Sequence, residues 1–186
     1  MTSDATDIPA TPVVTVFGAG GPEAGDPAYE YARRTGRVLG ELGYDIANGG
    51  YGGTMEASAR GARQAGRDVI GVTCRVWSPE PNEYTTRSAV TDTLEDRLKL
   101  LIQLGSAGYV VLPGATGTLV ELAFVWESMC KKMMPARPIV CMGGFWAPLL
   151  DMMTDQLPRS RSFVTLVDEP AELAEHFPPA DQAGDA

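Results

Sequence analysis

The chain alternates short, continuously apolar runs with segments of helical spacing. Val13–Phe17, Tyr44–Ala47, Asp68–Thr73, Gly108–Leu112, Pro138–Met142 and Phe163–Val167 read as six strands. Between and after them, Ala28–Leu42, Met55–Ala65, Leu94–Leu104, Thr118–Lys131, Trp146–Gln156 and the short Glu169–His176 read as helices. Gly43 and Gly66 stand where the first two helices should stop. Pro79 and Pro81 make residues 74–88 a loop. A strand with one wet face alternates polar and apolar residues; these runs do not, so both of their faces are expected to be covered.

The fold class that follows is α/β: a Rossmann-like doubly wound parallel sheet flanked by helices, in a single domain over residues 13–177. Residues 1–12 and 178–186 are small, polar and Pro-containing, and read as a disordered leader and tail. At 186 residues with 44% hydrophobic content, the chain can bury one substantial core.

Charge and rare residues exclude several function classes. Fifteen Lys and Arg against 24 Asp and Glu leave a net charge of −9, which repels phosphate backbones and argues against a nucleic-acid binder. No run approaches the ~18–20 apolar residues of a membrane span. The N-terminal MTSDATDIPATP has no basic region and no apolar core, so it does not read as a signal peptide. Cys74, Cys130 and Cys141 form no CxxC pair, which fits a reducing, cytoplasmic setting. The single histidine, His176, reads as an exposed helix-end residue. A zinc site or a Ser-His-Asp triad therefore has almost nothing to be built from.

In doubly wound folds, ligands sit beyond the carboxyl ends of the strands. Three glycine-rich turns fall there. The first, Gly18-Ala19-Gly20-Gly21, has Glu23 where a dinucleotide fingerprint wants glycine, so it reads as a tight turn. The second, Asn48–Thr54, has four glycines in seven positions before a helix. It is either an anion-binding array of bare N–H groups or a flexible turn. The third, Pro113-Gly114-Ala115-Thr116-Gly117-Thr118, leads into a helix carrying Glu121. It reads equally as an amide nest or as a capping box in which Thr118 and Glu121 satisfy helix-end donors.

At this third turn the sequence resembles a known family. Pro113-Gly114-Ala115-Thr116-Gly117-Thr118-Leu119-Val120-Glu121 is similar to the PGGxGTxxE motif of the LONELY GUY proteins, cytokinin riboside 5′-monophosphate phosphoribohydrolases often misnamed lysine decarboxylases. Val16-Phe17-Gly18 with Asp26-Pro27-Ala28-Tyr29 resembles the family's VFCGSS…NPxY segment, and NGGYGGTMEA at 48–57 its GGGxxGLMGA turn. Glu95-Asp96-Arg97 sits where the family has HxRK, and Pro138–Leu150 and Leu166–Pro170 resemble its terminal pieces. The likeness covers about residues 13–177. Ala115 replaces a motif glycine, which a backbone with negative φ tolerates. Leu98 replaces the family's Lys, with Lys99 one place on, and the HxRK histidine is absent.

The resemblance implies hydrolysis of the N-glycosidic bond of a nucleoside 5′-monophosphate, a small-molecule partner and a homodimer, and it implies no metal and no cofactor. It assigns Glu121 to stabilise an oxocarbenium-like transition state and orient water, by analogy with glycoside hydrolysis. It makes Arg97 the catalytic arginine that positions Glu121 or substrate; composition alone makes Arg97 an exposed helix charge paired with Asp96 or Glu95. The phosphate is expected on the amides of Gly114, Ala115, Thr116, Gly117 and Thr118 and on the Thr118 hydroxyl. Gly18, Gly52 and Gly53 complete the substrate-binding set, with Glu80 near the place of an upstream substrate-contacting Glu. Met129, Met133, Met134, Met152 and Met153, with Trp126 and Trp146, are expected in a core or subunit interface, with Trp126–Met134 as the candidate interface segment.

Lysine decarboxylation through pyridoxal phosphate needs a Schiff-base lysine, and Lys99, Lys131 and Lys132 lie in no recognisable cofactor context. The competing class is a binding module: the same fold holding a nucleotide or molybdenum cofactor without cleaving it. The Arg97–Glu121 combination favours the enzyme, because pure binding needs no carboxylate beside an anionic ligand. The Ala115 and Leu98 departures favour the binder. An NAD-dependent oxidoreductase fails on Glu23.

Overall fold

The computed structural model describes residues 11–182. Seven parallel strands form one sheet: β1 (Val13–Phe17), β2 (Asp45–Asn48), β3 (Val69–Cys74), β4 (Arg87–Thr91), β5 (Gly108–Val111), β6 (Ile139–Met142) and β7 (Val164–Val167). Their order is β4-β3-β2-β1-β5-β6-β7. The chain therefore walks outward from β1 to β4, returns to the centre at β5 and walks out the other way. The switch point lies between β1 and β5, which pair in parallel from Val14–Gly108 to Phe17–Val111.

Five helices cover the sheet: α1 (Pro27–Glu41), α2 (Thr54–Gln64), α3 (Leu94–Leu104), α4 (Thr116–Cys130) and α5 (Ala147–Gln156). On one face α1 and α2 bury Tyr29, Ala32, Leu39, Ala57 and Ala62 against Val14, Val16 and Ile46. On the other, α3, α4 and α5 bury Leu101, Leu122, Trp126, Met129 and Leu150 against Val13, Phe17 and Val111. Consecutive β1 residues thus serve opposite cores, which is why the strand is apolar but for Thr15, whose hydroxyl donates to the Leu101 carbonyl at 2.8 Å. The helices α1 and α2 touch through backbone. A Cβ on Gly36 would stand 2.0 Å from the Ser58 carbonyl oxygen, and one on Gly61 2.0 Å from that of Arg33.

The strand β4 is absent from the sequence expectation, which reads residues 74–88 as loop. It is an edge strand in which only Ala89 is buried, so no apolar run announces it. The expected terminal helix is a 3-10 helix, Pro170–Glu175, whose Glu169 and Glu172 form a reciprocal cap. His176 closes it, half-buried. The body also extends past Phe177: the Tyr44 hydroxyl donates to the Pro178 carbonyl, and the Ala180 N–H donates to the Leu42 carbonyl at 2.9 Å. The expectations for residues 1–10 and 183–186 fall outside the described residues. Among the described residues no helix is long and apolar enough to cross a membrane.

Candidate active site

The three glycine turns meet at the carboxyl ends of β1, β2 and β5. Asn48 shapes the second: its Oδ1 accepts from Gly50 N–H at 2.9 Å, while its amide donates to the Met55 carbonyl at 2.8 Å. This turn docks on the first. The Thr54 N–H and hydroxyl both donate to the Ala19 carbonyl, at 2.8 and 3.1 Å. Gly53 caps α2 with φ +71, and a Cβ there would meet the Ala19 oxygen at 2.3 Å. A Cβ on Gly18 would stand 2.2 Å from Thr54 Oγ1 and 3.3 Å from Leu112 Cβ, so β1, α2 and the end of β5 converge on it. A cavity of about 380 Å³ opens here, between Pro27, Tyr31 and Arg34 of α1, Thr54, and Pro113 of the third turn. Gly52 is half-exposed, with nothing nearer its Cβ position than 4.0 Å.

The third turn is not a capping box. The helix α4 begins at Thr116 with Ala115 as its N-cap, two residues before the expected start, and Ala115 has no side chain that can accept a hydrogen bond. The N–H groups of the first turn therefore lack a side-chain cap, and no acidic residue stands in that turn. The helix α3 shows the contrast: the Thr93 hydroxyl accepts from Asp96 N–H at 3.1 Å. Ala115 has φ −99, so its methyl sits without strain. Ala115, Thr116 and Gly117 are exposed, and nothing lies within 4 Å of a Cβ on Gly117. Thr118 is buried, and its side chain folds over Gly114, whose Cβ position is 2.2 Å from Thr118 Oγ1.

Starting α4 at Thr116 turns Glu121 inward, where it meets Arg97. Arg97 Nη1 is 3.5 Å from Glu121 Oε1, and the two residues are 7% and 9% exposed. Arg97 is thus a buried group on α3, not an exposed helix charge, and Asp96 is engaged with the Thr93 hydroxyl at 2.8 Å. Arg97 Nε donates to the Val72 carbonyl at 2.9 Å, which locks the guanidinium to β3. Burial pushes the Glu121 carboxyl up to about 7, the Arg97 charge and hydrogen bond pulling the other way. A carboxyl titrating near neutrality can take a proton and return it at physiological pH.

Three further residues frame the pair. A Cβ on Gly49 would lie 2.0 Å from Arg97 Nη2 and 2.5 Å from Met55 Sδ, so only glycine leaves room for the guanidinium. The rings of Tyr51 and Trp77 flank Arg97 Cζ, at 5.5 and 5.6 Å. The sequence signal for these was the second turn itself and an aromatic residue in a Pro-containing loop. Glu80 stands exposed on that loop, its N–H donating to Ser78 Oγ.

The three lysines are all exposed, and Lys131 pairs with Glu127 at 3.6 Å. Among the described residues no cluster of three or more His, Cys, Asp or Glu could hold a metal ion. Trp126, Met129 and Trp146 belong to the core, whereas Leu119, Val120 and Phe124 of α4 and Met133, Met152 and Met153 remain exposed. Away from the Arg97 pair, an apolar groove of about 320 Å³ runs between α4 and α5 along Leu119, Ala123, Trp126 and Cys130.

The architecture recurs in known structures. The molybdenum cofactor binding protein from Rippkaea orientalis superposes with a TM-score of 0.70 at 21% identity, over 89% of this chain and 94% of that one. The molybdenum cofactor carrier protein of Chlamydomonas reinhardtii gives 0.72 at 21% identity, with the same coverage. At that identity the likeness defines the fold, a Rossmann-like α/β domain.

Sequence defines the family. The family model described as "possible lysine decarboxylase" matches residues 55–177, and the chain belongs to that family, which includes the LONELY GUY proteins. An uncharacterised protein of Archaeoglobus fulgidus is 30% identical over 131 residues, 70% of this chain and 83% of that protein. The cytokinin riboside 5′-monophosphate phosphoribohydrolase of Mycobacterium tuberculosis is 31% identical over 64% of this chain and 65% of its own length. The pyrimidine/purine nucleotide 5′-monophosphate nucleosidase of Escherichia coli is 30% identical over 57% of this chain, but only 25% of that protein is spanned.

Proposed function

We propose that this protein hydrolyses the N-glycosidic bond of a nucleoside 5′-monophosphate, releasing the free base and ribose 5-phosphate. The observation that carries the reading is the buried Arg97–Glu121 pair, one helical turn from the uncapped N-terminus of α4. The free N–H groups of Thr116, Gly117 and Thr118 suit a phosphate. With the phosphate there, the anomeric carbon falls beside Glu121. As the C1′–N bond lengthens, positive charge grows on the ribose, and the Glu121 carboxylate stabilises it. The same carboxylate orients a water and accepts its proton. The water oxygen bonds to C1′, and the base leaves with the glycosidic electron pair and takes up a proton. Arg97, fixed by Val72, holds Glu121 in place.

The A. fulgidus likeness is silent on chemistry, but two named relatives act on nucleoside 5′-monophosphates. The exposure of all three lysines offers no Schiff-base partner for pyridoxal phosphate. The three free cysteines fit a cytoplasmic setting. The exposed apolar face of α4 supports a homodimer.

A panel of AMP, GMP, CMP, UMP and isopentenyladenosine 5′-monophosphate, assayed for free base and ribose 5-phosphate, tests the reading and identifies the base accepted. Release from at least one member is expected. Tight binding of a nucleotide or of molybdopterin without release from any of them favours a carrier instead.

A further inference from the structure

We infer that the indole of Trp77 is the surface on which the nucleobase stacks. The inference rests on the nucleoside monophosphate reading above and adds the residue that holds the base.

Trp77 is 59% exposed, yet it is firmly positioned. Its backbone N–H donates to the Cys74 carbonyl at 3.0 Å, and Ser78 N–H donates to the same oxygen at 3.1 Å. The Tyr51 hydroxyl reaches across from the second glycine turn. It accepts from Cys74 N–H at 2.7 Å and donates to the Ser78 carbonyl at 3.1 Å, clamping both ends of the turn that carries Trp77. The two rings meet edge to face, with centroids 6.1 Å apart. A pre-ordered, exposed indole adds little to the fold, and its anchoring is explained if a ligand uses its face.

Position selects the ligand part. Glu121 lies about one helical turn from the free amides of α4, Arg97 Nη1 is 3.5 Å from Glu121 Oε1, and Arg97 Cζ is 5.6 Å from the Trp77 ring. A nucleoside monophosphate with its phosphate at α4 and its anomeric carbon at Glu121 carries its base toward Trp77. A planar ring with an accessible π-face stacks on an indole, whether purine or pyrimidine, so Trp77 supplies affinity for the base and leaves the choice of base to other groups.

The test is equilibrium binding of AMP and of ribose 5-phosphate to Glu121→Gln, alone and combined with Trp77→Ala or Trp77→Phe. Trp77→Ala should weaken AMP about tenfold to hundredfold. It should leave ribose 5-phosphate unchanged, and Phe should restore most of the loss. Because Trp126 and Trp146 are buried, AMP should also quench the Trp77 emission, and ribose 5-phosphate should not. AMP binding unaltered by Trp77→Ala, or equal losses for both ligands, would overturn the assignment while leaving the hydrolase reading in place. Failure of both ligands to bind overturns the nucleotide reading and this assignment with it.

Discussion

Arg97 and Glu121 reach each other from consecutive helices, with Nη1 and Oε1 3.5 Å apart in a nearly dry setting. The arginine is held from three sides: by the Val72 carbonyl, by the rings of Tyr51 and Trp77, and by Gly49, whose missing side chain makes the space. The carboxylate has one charged partner and a burial that disfavours its charge. That imbalance raises the Glu121 carboxyl above its ordinary value.

The proposed mechanism uses the carboxylate form of Glu121, so it predicts activity that rises with pH through about 7. In a severely impaired Arg97→Ala variant, the residual activity should rise at higher pH, since the positive charge that pulls the carboxyl down is gone. A pH profile of kcat/KM for both proteins checks this. An Arg97→Ala profile with its midpoint unmoved would remove Arg97 from the titration.

Stability should move the other way. The folded-state carboxyl is raised from 4.5 to about 7, so the folded protein holds a proton that the unfolded chain has lost. The contribution of Glu121 is fully present below about 4.5 and is lost as pH rises toward 7. Glu121→Gln lacks this titration. Its melting temperature, measured against wild type, should therefore gain steadily between pH 4.5 and 7, while its activity falls roughly 10²- to 10⁴-fold. A stability difference that does not change with pH would contradict the burial argument.

Gly49→Ala should disable the site while sparing most of the fold. A methyl 2.0 Å from Arg97 Nη2 must push the guanidinium off Glu121. We expect at least a tenfold fall in kcat, with a melting temperature reduced by a few degrees. Wild-type kcat in this variant would mean that the Arg97 position is immaterial.

Gly117→Ala separates folding from binding. The site is open and helical, so alanine should stabilise α4 by up to about 1 kcal/mol. If phosphate rests on this turn, the methyl crowds it, and KM for the nucleotide should rise severalfold. Thermal melts and steady-state kinetics on one preparation read both effects.

The exposed α4 face bears on assembly. Val120→Glu with Phe124→Glu places two charges where Val120 and Phe124 are 48% and 43% exposed. Light scattering should show a dimer for wild type and a monomer for the variant. A wild-type monomer would remove the interface.

Most of the sheet was legible because strands covered on both faces are built mainly from apolar residues. The strand β4 was not, because an edge strand with only Ala89 buried carries no such signature. The start of α4 was misread for a related reason: Thr118 and Glu121 have capping-box spacing, and only the structure shows the helix already running at Thr116. Spacing left Glu121 undecided and composition left Arg97 a surface charge; the motif likeness singled out both, with Arg97 positioning either Glu121 or substrate, and the structure brings the two side chains to 3.5 Å. The framing residues Gly49, Tyr51 and Trp77 act through tertiary proximity between β2, β3 and α3, which no local pattern encodes.

The most direct measurement is the release of adenine from AMP and from adenosine, by wild type and by Glu121→Gln, with ribose 5-phosphate quantified alongside. If adenine is the accepted base, wild type should release equimolar adenine and ribose 5-phosphate from AMP and little from adenosine. Glu121→Gln should bind AMP and release almost nothing. If wild type binds AMP as tightly as Glu121→Gln does and releases no adenine, and the other nucleotides also stay intact, the central claim is contradicted and the protein is a carrier.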